Sequence, residues 1–589
     1  MNWSEAGDPF ERLRRFVRAV MAAAKHGQLG GIVFWAALIG IGGAVSGVAF
    51  RISVRLVQRA FTGHSTELVE TAAALPWWAR IAVPTIGGAC AGVLLWAGAR
   101  VLSSVRSVDY MEAVAVGNGQ LSGRAVLLQV ASSFFTIGSG GSIGREGPMV
   151  QLAATLASQI GRWTQVPVPR QRLLVACGAA AGIAAAYNAP IAGALFVGEV
   201  VLGSIAMESF GPLIVASVVS DAISRQLLGA GPVYQVPHIN FGAPWELALY
   251  ALLGVVLGHF APTYLGLLER ARGAFRALHW PAPGTLALGG LIVGVISVGV
   301  PEVWGNGYSV VNTMLNEQLT LQVLALMLAA KLVSTAASVG SGAVGGILTP
   351  TLFMGAALGA VFGAVLHRVD PHSLSQLSAY AVVGMGALLA ATTHAPLTSI
   401  LLIFEMTLDY DVVLPLMLAS VTAHYVARIY LHGESVYTRS LRASIAEQDA
   451  EWRLRQITAL VRPPALVLQR EEPLHKALAR APARGAQRAY VVDAEQQLVG
   501  ELDLASVRRS KRGGQWDEHV TVAQHMMAAP AVLTPEMLLG DALDVFIAQR
   551  CKRLPVVAGH WSPVLLGEVS RHDLLLALQD RMTERPGVT

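Results

Sequence analysis

Over the first ~440 residues of this chain, hydrophobic positions fall in long apolar runs. The runs lie near 31–50, 80–102, 125–137, 148–160, 172–186, 189–206, 211–228, 246–268, 284–300, 320–339, 350–366, 377–392, 395–407 and 412–430. A helix needs roughly 20 apolar residues to cross hydrocarbon, so several of these are too short to span it alone. Backbone at membrane depth must satisfy its own hydrogen bonds. The short runs therefore predict tilted, half-length or re-entrant helices buried in protein, within a mainly α, polytopic membrane domain over 31–440.

Two pairs of matched segments give that domain an internal repeat. Gly138–Pro148 reads GSGGSIGREGP and Gly340–Pro350 reads GSGAVGGILTP, 202 residues apart. Gly178–Glu199 and Gly384–Glu405 keep Gly, Ala, Pro and a terminal Glu in step at an offset of 206. Motifs in the same order at a near-constant offset predict two related halves, about 31–228 and 245–440. In transporters of this kind, inverted repeats meet at a midplane site built from broken helices. Glycines let backbone approach a bound species closely, and a proline just inside a helix suits an N-terminus whose free N–H groups attract negative charge. Two such helix starts in one apolar domain point to an anion site.

Composition agrees. The 589 residues are 53% hydrophobic and 14% charged, with a mean hydropathy of +0.52, which excludes a soluble globular class for the chain as a whole. Arg12, Arg14, Arg15, Arg18 and Lys25 interleave with or follow Phe10, Leu13, Phe16 and Val17. That spacing predicts a basic helix on the cytoplasmic face within residues 1–30, and no cleaved signal peptide is expected. The net charge of +5 requires no nucleic-acid partner. Cys90, Cys177 and Cys551 form neither a CxxC nor a Cys/His cluster, so no metal or redox site is expected. Charged residues become frequent after about residue 440, where a polar connector over 441–462 leads to a soluble tail. Two similar units follow in 463–589: Tyr490-Val491-Val492 with Gly500-Glu501, and Leu554-Pro555-Val556-Val557 with Gly567-Glu568, offset by 67 residues.

With these residues in view, the chain resembles the CLC family of chloride channels and chloride/proton antiporters, with a tandem pair of CBS domains at its C-terminus. The sequence Gly144-Arg145-Glu146-Gly147-Pro148 looks like the family's gating-glutamate motif, and Gly346-Ile347-Leu348-Thr349-Pro350 looks like its GxFxP motif with Leu in place of Phe. Asn188–Gly193 and Ala395–Thr398 match further family segments, and Tyr437 stands where the pore tyrosine is expected. The resemblance implies a homodimer with a pore in each subunit, chloride as the transported ligand, and a multi-pass location in a bacterial inner (plasma) membrane with both termini cytoplasmic. The segments Asp109–Glu112 and Val200–Ser209 look like the ClcB-type branch. Two departures stand out. The family's GSGIP serine has no counterpart with glycine or proline at Ser103–Val108, and Val200 replaces an intracellular proton-transfer glutamate beside Glu199.

Glu146 is thus the candidate gate, because a carboxylate at a helix N-terminus can occupy the ion's own site. Arg145, Gly147, Ile347, Leu348 and Tyr437 are the candidate anion-binding residues, Ile347 and Leu348 through backbone N–H groups. Glu199 and Glu208 are candidates for a proton pathway, with helix-end structural roles as the alternative for Glu199 and its repeat mate Glu405. Ser570 and Asp573 fit the CBS Ser/Thr-x-x-Asp ribose motif and nominate an adenine nucleotide, ATP or AMP. Asp503 and Ser506 carry the same residue types exchanged. No other cofactor is expected. The reading favours passive or weakly proton-coupled conduction over stoichiometric chloride/proton exchange. A CBS-regulated cation channel would call for acidic pore segments, and a membrane enzyme for a nucleophile–base pair, metal cluster or phosphate loop, none of which the sequence presents.

Overall fold

The computed structural model describes residues 30–101, 108–115, 117–203, 207–229, 231–237, 244–369, 375–431, 435, 456–480, 488–504, 506–507, 519–528, 531–549, 552–559, 562–571 and 573–574. Within them the chain divides into two compact units, Met1–Leu441 and Arg442–Thr589. The first repeat runs through α1 (Gly30–Thr62), α2 (Leu68–Ala74), α3 (Trp77–Val101), α4 (Tyr110–Ala115), α5 (Gly123–Gly138), α6 (Glu146–Trp163), α7 (Val168–Tyr187), α8 (Pro190–Phe196) and α9 (Met207–Leu228). The second contains α10 (Glu246–Ala277), α11 (Ala282–Gly299), α12 (Tyr308–Asn316), α13 (Leu321–Gly340), α14 (Leu348–Leu366), α15 (Leu377–Thr393), α16 (Pro396–Thr407) and α17 (Val413–Leu431). Among the described residues, seven helices are long and apolar enough to cross a membrane: α1, α3, α10, α11, α13, α14 and α17.

The repeat shows itself first in how helices break. α7 ends where Asn188 turns left-handed (φ 54°), and α15 ends the same way at His394 (φ 58°). Each is followed by Ala-Pro, so Pro190 and Pro396 open α8 and α16 at the one turn where a missing N–H costs nothing. A single apolar run in the sequence thus becomes two helices. The expected run 189–206 divides further, because a π-helical turn over Val197–Leu202 follows α8 and ends at Gly203 (φ 66°).

Packing explains the composition of α7 and α15. Every residue of α15 from Ser378 to Thr393 is buried, as is every residue of α7 from Leu174 to Tyr187. A helix buried all round needs small residues where neighbours cross. Gly355 of α14 and Gly384 of α15 meet backbone to backbone, and a methyl added at either would overlap the other's carbonyl oxygen.

The second unit holds two small sheets. In the first, β1 (Val467–Gln469) pairs parallel with β2 (Arg488–Val492), which pairs antiparallel with β3 (Leu498–Asp503). The second pairs β4 (Arg553–Gly559) antiparallel with β5 (Ser562–Ser570). Leu468, Val491 and Leu502 centre one core with helix Leu474–Arg480, and Phe546, Leu554 and Val569 centre the other with helix Leu539–Gln549. The sequence similarity of the halves has a structural counterpart in their acids: Glu501 pairs with Arg488 and Glu568 with Arg553, each across its hairpin.

Candidate anion site

The two GSG turns meet. Gly144 and Gly346 form an isolated antiparallel bridge, each N–H donating to the other's carbonyl at 2.8 Å. This bridge sets the first turns of α6 and α14 side by side, so two helix N-termini address one place. Glu146, the first residue of α6, does not extend into its own helix dipole alone. Its carboxylate crosses to α14, where Oε1 accepts the Thr349 N–H at 3.1 Å and Oε2 accepts the Thr349 hydroxyl at 3.0 Å. The residue is 2% exposed. Methyl groups added at Gly144 or Gly346 would overlap the carboxylate oxygens, so the slot exists because both walls are glycine. Tyr187, at the end of α7, closes the cluster with its hydroxyl 3.3 Å from the Thr349 hydroxyl.

The other nominated residues distribute around this slot. Arg145 is the N-cap residue of α6, and its guanidinium carbon lies 5.1 Å from the centre of the Tyr308 ring. Gly147 faces the backbone of Gly345 and Gly346. Ile347 is the N-cap position of α14 and Leu348 its first residue, with the Leu348 side chain in the core. The N–H that reaches the Glu146 carboxylate belongs to Thr349, one residue further along the same turn. Tyr437 and Ser103–Ser107 lie outside the described residues, as does the side chain of Glu208.

Glu199 and Glu405 exchange ends between the repeats. Glu199, just past α8, accepts from the first turn of α16: the Thr398 N–H at 2.9 Å, the Thr398 hydroxyl at 2.7 Å and the Leu397 N–H at 3.4 Å. Glu405, near the end of α16, accepts from the first turn of α8: the Ile191 N–H at 2.9 Å and the Ala192 N–H at 2.7 Å. Each acid supplies the cap that the other repeat's proline-led helix lacks, since neither Ala189 nor Ala395 has a capping side chain. Val200 is half-buried against the main core.

Sequence reasoning passed over two basic residues here. Lys331, within α13, is fully buried, and its ammonium donates to the carbonyls of Val303 (3.0 Å) and Gly305 (2.8 Å). Arg51, within α1, donates to the carbonyls of Ala185 (2.8 Å) and Ala186 (3.3 Å) at the end of α7. The signal was present: each is a lone charge in or beside an apolar run, and intramembrane charges are costly enough to ask for a reason.

In the second unit a cleft of about 640 Å³ is lined by Arg462, Lys552, Arg553, Ser570, Arg571 and Asp573 among others. Asp573 is held there by the Ser570 hydroxyl at 2.9 Å and by Arg462 at 3.1 Å. The Ser570 oxygen also accepts the Asp573 N–H, capping the turn that follows β5.

The bridge between equivalent glycines and the exchanged caps define a polytopic membrane protein of two inverted repeats meeting at helix N-termini. Known proteins give the class its name. Residues 87–428 match the voltage gated chloride channel family, and residues 522–580 match the CBS domain. A chloride channel protein described as ClcB-like from Ralstonia nicotianae is 55% identical over 410 residues, covering 69% of this chain and 95% of its own. The voltage-gated ClC-type chloride channel ClcB of Salmonella typhi is 38% identical, covering 68% and 97%. Among solved structures, a slow cyanobacterial Cl⁻/H⁺ antiporter superposes with a TM-score of 0.63 at 27% identity, covering 71% of this chain and 99% of that one. A eukaryotic CLC transporter superposes at 0.59 and 19% identity, covering 92% and 97%, a likeness of fold. The chain belongs to the CLC family, and its relatives include the ClcB-like members.

Proposed function

We propose that this chain carries chloride across a bacterial inner membrane through a pore in each subunit of a homodimer, with Glu146 as the gate. The observation that carries the reading is the Glu146 carboxylate itself. It lies between Gly144 and Gly346 on the N-terminal turn of α14, the kind of place a small anion would take. Ionised, it competes with chloride for the same donors; protonated, it loses the charge that holds it there. Gly147 and the turn at Ile347 and Leu348 border the slot, and Arg145 adds positive potential beside it. Tyr437 is assigned to the same path from its motif alone.

Passive or weakly proton-coupled conduction is the favoured mode, because a valine at position 200 can neither bind nor pass a proton. Chloride/proton exchange is the second reading, supported by the likeness to the cyanobacterial Cl⁻/H⁺ antiporter. The deciding measurement is the reversal potential of purified protein in liposomes with chloride and pH gradients imposed together. Following the chloride Nernst potential alone is the expected result. A fixed displacement with the pH gradient would establish exchange instead.

Residues 463–589 are assigned as a CBS pair, with the cleft at Ser570 and Asp573 as its adenine-nucleotide site and Arg462, Lys552 and Arg571 toward the phosphates. Since both repeats end before that unit, truncation after residue 460 is expected to leave a folded protein that still conducts chloride in liposomes. Complete loss of flux from a well-folded, dimeric truncation would place the tail in the conduction machinery.

A further inference from the structure

A third turn adjoins the first GSG turn, and a buried lysine holds it. Lys331 sits within α13, the helix that runs into the second GSG turn at Gly340. Its ammonium donates to the carbonyls of Val303 (3.0 Å) and Gly305 (2.8 Å), the residues on either side of Trp304. The Phe353 ring, its centre 5.2 Å from the nitrogen, lies beside it, and among the described residues no charged group stands near. An intramembrane cation that meets only carbonyls is costly and asks for a reason beyond packing. The repeat itself does not demand one. The counterpart in α5, 202 residues earlier (331 − 202 = 129), is the neutral Gln129.

What the turn carries supplies the reason. Trp304 is fully buried with its ring against Gly140, where an added methyl would overlap it, and the Gly305 N–H donates to the Gly140 carbonyl at 3.3 Å. The indole N–H is shielded and meets no acceptor among the described residues, so nothing polar fixes the ring. Its place follows from the backbone on each side, which is the backbone Lys331 holds. Two residues further on, Gly307 turns left-handed (φ 93°) and caps α12, whose first residue, Tyr308, faces the Arg145 guanidinium. Arg145 in turn interacts electrostatically with Glu146. One ammonium from the second repeat thus reaches the turn of Glu146 by two routes, through Trp304 to Gly140 and through Tyr308 to Arg145.

We propose that Lys331 is a positioning residue for the Glu146 gate, bracing the Val303–Gly305 turn so that Trp304 seats the first GSG turn and Tyr308 seats Arg145 beside the carboxylate. This rests on the reading of Glu146 as the gate. Lys331 itself touches neither the carboxylate nor the slot, and acts through the turn.

Chloride flux of the purified full chain in liposomes, measured across a pH series beside Glu146→Gln, tests the brace. Lys331→Met fills the same space and removes the donors. An opposite charge favours a carboxylate more the closer it is held, so with Arg145 loosened the acid-activated rise in flux is expected to move to higher pH by about 0.5–1 pH unit. Lys331→Arg, whose guanidinium still has donors for both carbonyls, returns most of that displacement. Trp304→Leu leaves the Lys331 charge in place and is expected to move the profile the same way. The double variant goes no further than the larger single one, because the two residues act along one path. If Lys331→Met does not fold, Trp304→Leu carries the test alone. Flux lowered at every pH with an unmoved profile reduces Lys331 to packing and overturns the proposal. So does a profile that moves in Lys331→Met but not in Trp304→Leu, since the charge would then act through space. An unmoved profile beside a flat Glu146→Gln leaves the gate reading intact, whereas a wild-type slope kept by Glu146→Gln sinks that reading and this proposal with it.

Discussion

Glu146→Gln should flatten the pH dependence of chloride flux and raise flux at neutral pH by about ten- to a hundredfold. The carboxylate is held by two hydrogen bonds from Thr349. Bonds to a charged group are each worth about 1.5–3 kcal/mol, so an anion of equal affinity faces a competitor worth roughly 3 kcal/mol or more. The glutamine amide keeps the shape and one acceptor but not the charge, and neutral bonds are about half as strong. In the wild type, acid favours conduction, since protonation removes the competing charge, and flux rises as pH falls. In the variant nothing at this position titrates. Flux of purified protein in liposomes, measured across a pH series, checks both parts. A variant that keeps the wild-type slope would show that the gate lies elsewhere.

The second large effect concerns the exchanged caps. Glu405→Ala strands the Ile191 and Ala192 N–H groups at the start of α8, and a loss of about 2–4 kcal/mol in stability is expected. Glu199→Ala is expected to cost less, about 1–2 kcal/mol, because Glu199 is only half-buried and water replaces part of what is lost. Glu199→Gln retains an acceptor for Thr398 and should restore most of the difference. Denaturation midpoints in detergent measure this series. A proton-carrying Glu199 would behave otherwise, with unchanged midpoints in both variants and a changed response to a pH gradient. That pattern would return Glu199 to the proton path.

Much of this arrangement was legible before any coordinates. Paired glycine turns and paired Ala-Pro breaks at constant offset announced two repeats, because a close backbone approach and a helix restart each demand particular residue types. The same logic placed Glu146 at a helix start. It did not show that its carboxylate would serve the opposite helix, because a cap across 203 residues leaves no local spacing to read. α12 escaped for a different reason. Its nine residues, YSVVNTMLN, are too few to fold as an isolated helix, and it stands because Val310, Val311, Met314 and Leu315 are buried against the core. The reciprocal roles of Glu199 and Glu405 were half visible: their equivalence followed from the offset, whereas the swap follows from the twofold relation between the halves. Arg51 and Lys331 were overlooked because the carbonyls that hold them belong to distant turns, and only the oddity of a charge in apolar surroundings marked them.

The exchanged caps also impose an order on synthesis. The first-turn amides of α8 wait for Glu405, which lies 214 residues beyond Ile191, whereas α16 finds Glu199 already made. At about 5–20 residues per second, the wait is roughly 10–40 s. Through that interval the start of α8 has only water or the insertion machinery to receive its N–H groups, since hydrocarbon offers none. The first half therefore reaches the membrane with one segment unable to settle, and its final seating is set by the arrival of the second half rather than by its own sequence.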